Sequence, residues 1–99
     1  MEKYEYNFTV DKIEMLLDGK KIAKLTLVRK SNDEIDLIKL FVDPEMRGKG
    51  IAGIFMEKVA TYFKNKTITP ICSYAYSWYK KHPEYSVKFP EDGPVCSLK

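Results

Sequence analysis

The first half of the chain is patterned for strands. Ile13-Glu14-Met15-Leu16-Leu17 leads into Asp18-Gly19, the signal of a tight hairpin turn. Ile22, Leu25, Leu27 and Val28 then stand among Lys and Thr residues, which predicts a second strand. Ser31-Asn32-Asp33 marks another turn. Ile35, Leu37, Ile38, Leu40 and Val42 form a third run that is almost wholly apolar, as a central strand should be. Thr9 and Val10 fit the end of an extra edge strand beginning near Tyr4.

Beyond Pro44 the period changes. From Lys49 to Asn65 the spacing predicts a helix, with Ile51, Phe55, Val59 and Tyr62 or Phe63 on one face and Met56 and Ala60 beside it. Thr67 to Cys72 reads as a short strand. Pro70 has no backbone N–H to give, so an edge or splayed strand is expected there. Tyr74 to Lys81 predicts a second, aromatic-rich helix that His82-Pro83 stops. After Phe89, the residues Pro90, Gly93 and Pro94 predict an irregular tail. The predicted order is β-β-β-α-β-α. It implies an α+β fold with a mixed, mostly antiparallel sheet, residues 1–88 forming the domain and 89–99 the tail.

A chain of 99 residues has room for one core. The net charge of +3 fits an anionic ligand but falls short of a nucleic-acid-binding signature. No apolar stretch reaches the length of a membrane span and the start is no signal peptide, so a cytoplasmic protein without a membrane partner is expected. With two cysteines far apart, Cys72 and Cys96, and one histidine, no metal site is expected. The reducing compartment argues against a Cys72–Cys96 disulfide.

The chemistry concentrates in Phe41-Val42-Asp43-Pro44-Glu45-Met46-Arg47-Gly48-Lys49-Gly50-Ile51-Ala52. A strand end, a loop and a glycine-rich turn open a helix here. Glycines allow close approach of a ligand, the first N–H groups of the helix lack partners, and Arg47 and Lys49 add positive charge. A phosphate or pyrophosphate is the natural ligand. Gly48, Gly50 and Gly53 formally spell the dinucleotide fingerprint. That motif needs a strand running straight into the first glycine and an acid about 20 residues on. Pro44 intervenes here, and no Asp or Glu lies between Glu57 and Glu84. The P-loop pattern fails as well, because no Gly-Lys-Ser/Thr follows at the required spacing.

Arg47-Gly48-Lys49-Gly50-Ile51-Ala52 resembles the R/Q-x-x-G-x-G/A signature of the GCN5-related N-acetyltransferase superfamily, and Val42-Asp43-Pro44-Glu45 resembles the segment before it. From Asp18-Gly19 to Tyr85 the chain is similar to the small single-domain members, with Cys72-Ser73-Tyr74-Ala75-Tyr76 and Lys81-His82-Pro83-Glu84-Tyr85 as the later motifs. The resemblance implies acetyl-coenzyme A as cofactor. Its pyrophosphate would lie on the backbone of Arg47, Gly48, Lys49, Gly50, Ile51 and Ala52. Its pantetheine arm would lie along Leu40, Phe41 and Val42 like a missing strand, provided the sheet splays there.

Acetyl transfer needs a neutral amine, a stabilised oxyanion and a proton for the departing thiolate. By resemblance, backbone N–H groups near Phe41 and Val42 serve the oxyanion and a tyrosine serves the thiolate. Tyr74, Tyr76 and Tyr79 are candidates among which the sequence does not choose. The working assignment is Tyr74 as the acid and Tyr79 as a cofactor contact, while Trp78 is expected to pack. Cys72 is the sharper candidate, as a nucleophile beside the cofactor or as an inert buried thiol. His82 is a tempting base but fits a helix cap better. Lys39 stands where several small relatives carry a histidine, so no imidazole base is available there.

The acceptor, a small-molecule or protein amine, is not specified. Larger acetyltransferases build its groove from helices between the first strands. This chain has only turns there, so the acceptor side should be open or completed by a partner chain, as in a homodimer. The competing reading is a coenzyme A-binding module with little catalysis. A nucleic-acid binder using the interleaved Tyr and Lys residues of 74–81 ranks last, given the mild charge.

Overall fold

The computed structural model describes residues 4–91. Its elements are β1 (Tyr4–Phe8), β2 (Lys12–Leu17), β3 (Lys20–Arg29), β4 (Glu34–Val42), a one-turn 3-10 helix (Pro44–Met46), α1 (Ile51–Tyr62), β5 (Thr67–Pro70) and α2 (Ser73–Lys80). The predicted class is observed. The extra strand near Tyr4 is present as β1 and makes the sheet five-stranded, in the order β1-β2-β3-β4-β5. The first three pairings are antiparallel and β4–β5 is parallel, with α1 as the crossover. Cys96 and most of the tail fall outside the described residues. Among the described residues no helix is long and apolar enough to cross a membrane.

One face of the sheet is the core. Ile13, Met15, Leu25, Leu27, Ile35 and Leu37 are almost fully buried against Phe55, Met56 and Val59 of α1. Helix α1 is shorter than the 49–65 pattern. It begins only after Gly50, whose left-handed φ of 77° breaks the helical backbone, and ends before Phe63. The opposite face alternates out of phase with the core. It carries Lys24, Thr26, Lys39 and Phe41, and among the described residues no helix lines its hollows.

Two irregularities shape the functional end of β4. Thr26 pairs with Lys39 but Leu27 pairs with Leu37, so Ile38 is an extra residue and forms a bulge. On the other side β5 stops at the Leu37–Pro70 pair. Proline cannot continue the ladder, and the N–H groups of Ile71 and Cys72 both converge on the Leu37 carbonyl, at 2.9 and 3.0 Å. From Ile38 to Val42, β4 has no strand partner on that side among the described residues. This is the splay that a missing-strand ligand requires.

Candidate functional site

The backbone of the splay can be oriented from its hydrogen bonds. Asp43 N–H donates to the Ile22 carbonyl at 2.8 Å. Residues alternate in an antiparallel pair, so Phe41 and Lys39 turn their N–H and C=O groups toward β3. Leu40 and Val42 turn theirs into the gap left by β5. The Val42 carbonyl accepts from Arg47 Nε at 3.0 Å, which ties the loop back to the strand end.

The loop is held from both ends. Asp43 caps the 3-10 helix, its Oδ1 accepting from Glu45 N–H at 3.0 Å. Lys20, from the start of β3, reaches Glu45 at 3.3 Å and Asp43 at 4.0 Å. Gly48 and Gly50 then take left-handed φ values of 80° and 77°. Two such residues turn the chain sharply enough to aim the start of α1 at the strand end. Gly50 is the N-cap and offers no side-chain bond, and the first turn holds no acidic residue. The leading N–H groups of α1 are therefore unclaimed and its positive dipole end is not neutralised.

Around this start lies a groove of about 240 Å³. Val42, Arg47, Gly48, Gly50, Ile51 and Ala52, all expected on the site, line it. Met46, Gly53 and Tyr74 complete it. A Cβ built on Gly53 would stand 3.8 Å from the Tyr74 hydroxyl, which places that hydroxyl beside the first turn of α1. Met46 and Gly53 were not anticipated. The third glycine of the formal G-x-G-x-x-G was the available signal. A larger hollow of about 360 Å³ beside Asp36, Thr69 and Lys88 lies toward the other end of β4, away from the helix start.

The remaining expected residues sit elsewhere. Leu40 is buried and Lys49 is exposed, and neither lines the groove; strand alternation turns the Leu40 backbone groups away from β3. Phe41 projects onto the open face at 45% exposure, with the Arg47 guanidinium 5.9 Å above its ring. Cys72 precedes α2 with its thiol free and 0% exposed, inside the core and off the groove. Exposure divides the reactive from the inert reading of this thiol, and it favours the inert one. Tyr79 is likewise in the core at 1% exposure, and burial, reinforced by Tyr85, pushes its pKa upward. Among the described residues its hydroxyl and Ser73 Oγ are buried without partners. His82 Nδ1 bonds the Trp78 carbonyl at 2.7 Å and its ring stacks on Trp78 at 3.7 Å, the cap arrangement expected of it.

Solved structures share this fold. A GCN5-like protein of Staphylococcus aureus matches with a TM-score of 0.67 at 21% identity, covering 88% of this chain and 90% of that one. A GNAT-family protein of Xanthomonas campestris pv. campestris matches with a TM-score of 0.58 at 21% identity, over 73% of this chain and 53% of its own. The ribosomal-protein-S18-alanine N-acetyltransferase of Escherichia coli matches with a TM-score of 0.50 at 20% identity, over 60% of this chain and 35% of its own. The chain thus spans about a third of the length of the last and about half of the second. No curated protein matches. The model of the GCN5-related N-acetyl-transferase family matches residues 12–88, the whole span from β2 past α2, and the chain belongs to that family.

Proposed function

We propose that this protein binds acetyl-coenzyme A and transfers the acetyl group to a primary amine. The observation that carries the reading is the unpaired edge of β4 from Ile38 to Val42, running into an uncapped helix start. An extended arm bearing amides can pair with the Leu40 and Val42 backbone as a strand would. A pyrophosphate fits the free N–H groups at the start of α1, with Arg47 lining the same groove. Bound there, the cofactor supplies a thioester. The amine nitrogen attacks its carbonyl carbon, the carbon–nitrogen bond forms, and the carbon–sulfur bond breaks. The amine gives up one proton to water and the departing thiolate takes up one, which leaves the total unchanged. Tyr74, whose hydroxyl is near the first turn of α1, is the residue proposed to deliver the thiolate's proton.

A binding module with little turnover is the second reading. Among the described residues no carboxylate or imidazole lines the groove, and the Cys72 thiol is buried. Isothermal titration with acetyl-coenzyme A, followed by assay of free thiol released in the presence of amines, separates the two. Saturable one-site binding with amine-dependent thiol release is the expected result. Binding without release favours the module. No heat at about 1 mM ligand removes both readings.

A further inference from the structure

Most charges on and around the uncovered face of the sheet are paired. Glu14 lies 3.1 Å from Lys21 and 3.8 Å from Lys12, and the Lys21 hydrogen bond holds its carboxyl below the usual range. Asp36 pairs with Lys30 at 3.5 Å. Lys24 and Lys39 differ. Among the described residues neither has a carboxylate within 4.0 Å. Lys24 stands opposite Phe41 on β4 and opposite Glu14 on β2, whose carboxylate is held by Lys21 and Lys12, and Thr26 stands opposite Lys39, so the two lysines are diagonal neighbours. Diagonal sheet neighbours stand about 7–8 Å apart, close enough for like charges to repel unless an anion joins them.

Phe41 stands beside them, and together with Thr26 they line a shallow hollow of about 230 Å³. A second hollow of about 280 Å³ shares Lys24 and Phe41 and extends to Lys12, Lys21 and Glu14, so four lysines and one carboxylate face the two hollows together. The surface therefore crosses three strands, about 10 Å from β2 to β4. Lys24, Lys39 and Phe41 stand exposed on it, unlike the lining of concave sites that enclose small molecules. It also adjoins the reacting edge, because Phe41 lies between Leu40 and Val42. Arg47 lines the groove at the start of α1 and also reaches over the Phe41 ring at 5.9 Å, so the groove and the open face meet at this residue.

We infer that the open face docks an acidic polypeptide segment, whose carboxylates bind Lys24 and Lys39 and whose backbone crosses Phe41. On the acetyltransferase reading, on which this role rests, that segment carries the acceptor amine.

Docking is measurable without acetyl transfer. A labelled peptide with one lysine among Asp and Glu residues is titrated by fluorescence anisotropy, beside Gln-flanked and Arg-flanked versions and a single-stranded oligonucleotide. The acidic peptide should bind tightest and weaken with salt. The paired change Lys24→Gln and Lys39→Gln should cost about tenfold, and Lys24→Glu with Lys39→Glu should turn preference to the Arg-flanked peptide. The milder pair covers the case in which charge reversal prevents folding. The inference is overturned if the acidic peptide binds no tighter than the Gln-flanked one, if the folded variants bind it unchanged, or if the oligonucleotide binds tighter. Acetyl-coenzyme A calorimetry on the same samples reports on the cofactor separately, so failure there leaves the docking result standing.

Discussion

Strand β4 is two different strands end to end. Its first part, Glu34–Leu37, is paired on both sides, with β3 and with β5, and Ile35 and Leu37 are fully buried. Its second part, beyond the Ile38 bulge, keeps β3 but loses β5, and Phe41 is almost half exposed. The first part satisfies its backbone inside the protein. The second leaves the Leu40 backbone groups and the Val42 N–H without a strand partner, the Val42 carbonyl being taken by Arg47, a cost a fold carries where a ligand will settle it. The change between them is made by one extra residue on β4 and one proline on β5.

Amide hydrogen exchange tests that division most directly and should show the largest contrast. The amides of Lys39 and Phe41 face β3 and should need global unfolding to exchange, typically about 5–15 kcal/mol. The Leu40 and Val42 amides should exchange with little protection. Acetyl-coenzyme A should slow these two and leave Lys39 and Phe41 unchanged. Equal protection at all four amides without ligand would mean that the gap is closed, and the missing-strand account would fail.

The two parts of β4 were unequally legible in the sequence. The apolar run Ile35 to Val42 marks a central strand, and Arg47 to Ala52 marks an anion-binding helix start, because both signals are local. The bulge left a trace in the adjacent Leu37-Ile38, which breaks strict alternation, but two neighbouring apolar residues also fit a strand buried on both faces. Pro70 gave the better hint of a splay. The burial of Cys72 and Tyr79 was not legible, since it depends on how α2 seats against the core. The isolation of Lys24 and Lys39 depends on strand register and on where every carboxylate goes, which a local pattern does not carry.

The loop that follows the open part of β4 can be set against a turn of similar backbone shape but no proposed ligand. Gly19 and Gly50 have φ values of 79° and 77°, and a Cβ at either would meet nothing within 4 Å. Alanine at each position is thus penalised by the left-handed backbone alone, by about 1–2 kcal/mol in denaturant unfolding. Only Gly50→Ala should also weaken acetyl-coenzyme A binding, by about tenfold in calorimetry, because the distorted turn misdirects the N–H groups of α1. Equal loss of affinity in both variants would trace the effect to general destabilisation. Unchanged affinity in Gly50→Ala would remove the helix start from the cofactor site.

The smallest expected effect lies in the closed part of the molecule, where the packing has a flaw. The Tyr79 hydroxyl is buried and has no partner among the described residues, a situation that costs more than having no hydroxyl at all. Tyr79→Phe should stabilise the free protein by about 1 kcal/mol near neutral pH. The sign with pH follows from the raised pKa. The unfolded chain ionises this phenol near its ordinary value of 10.0, whereas the folded protein holds the proton to higher pH. The phenol's share of wild-type stability is therefore intact below pH 10 and is lost as pH rises beyond it. The Phe variant lacks that loss, so its advantage in thermal unfolding should widen on the alkaline side. Acetyl-coenzyme A affinity then decides what the hydroxyl is for. A cofactor contact predicts weaker binding in the more stable variant, a stability cost retained for function. Unchanged affinity would make Tyr79 a core residue and confine the cofactor to the groove at the open end of β4.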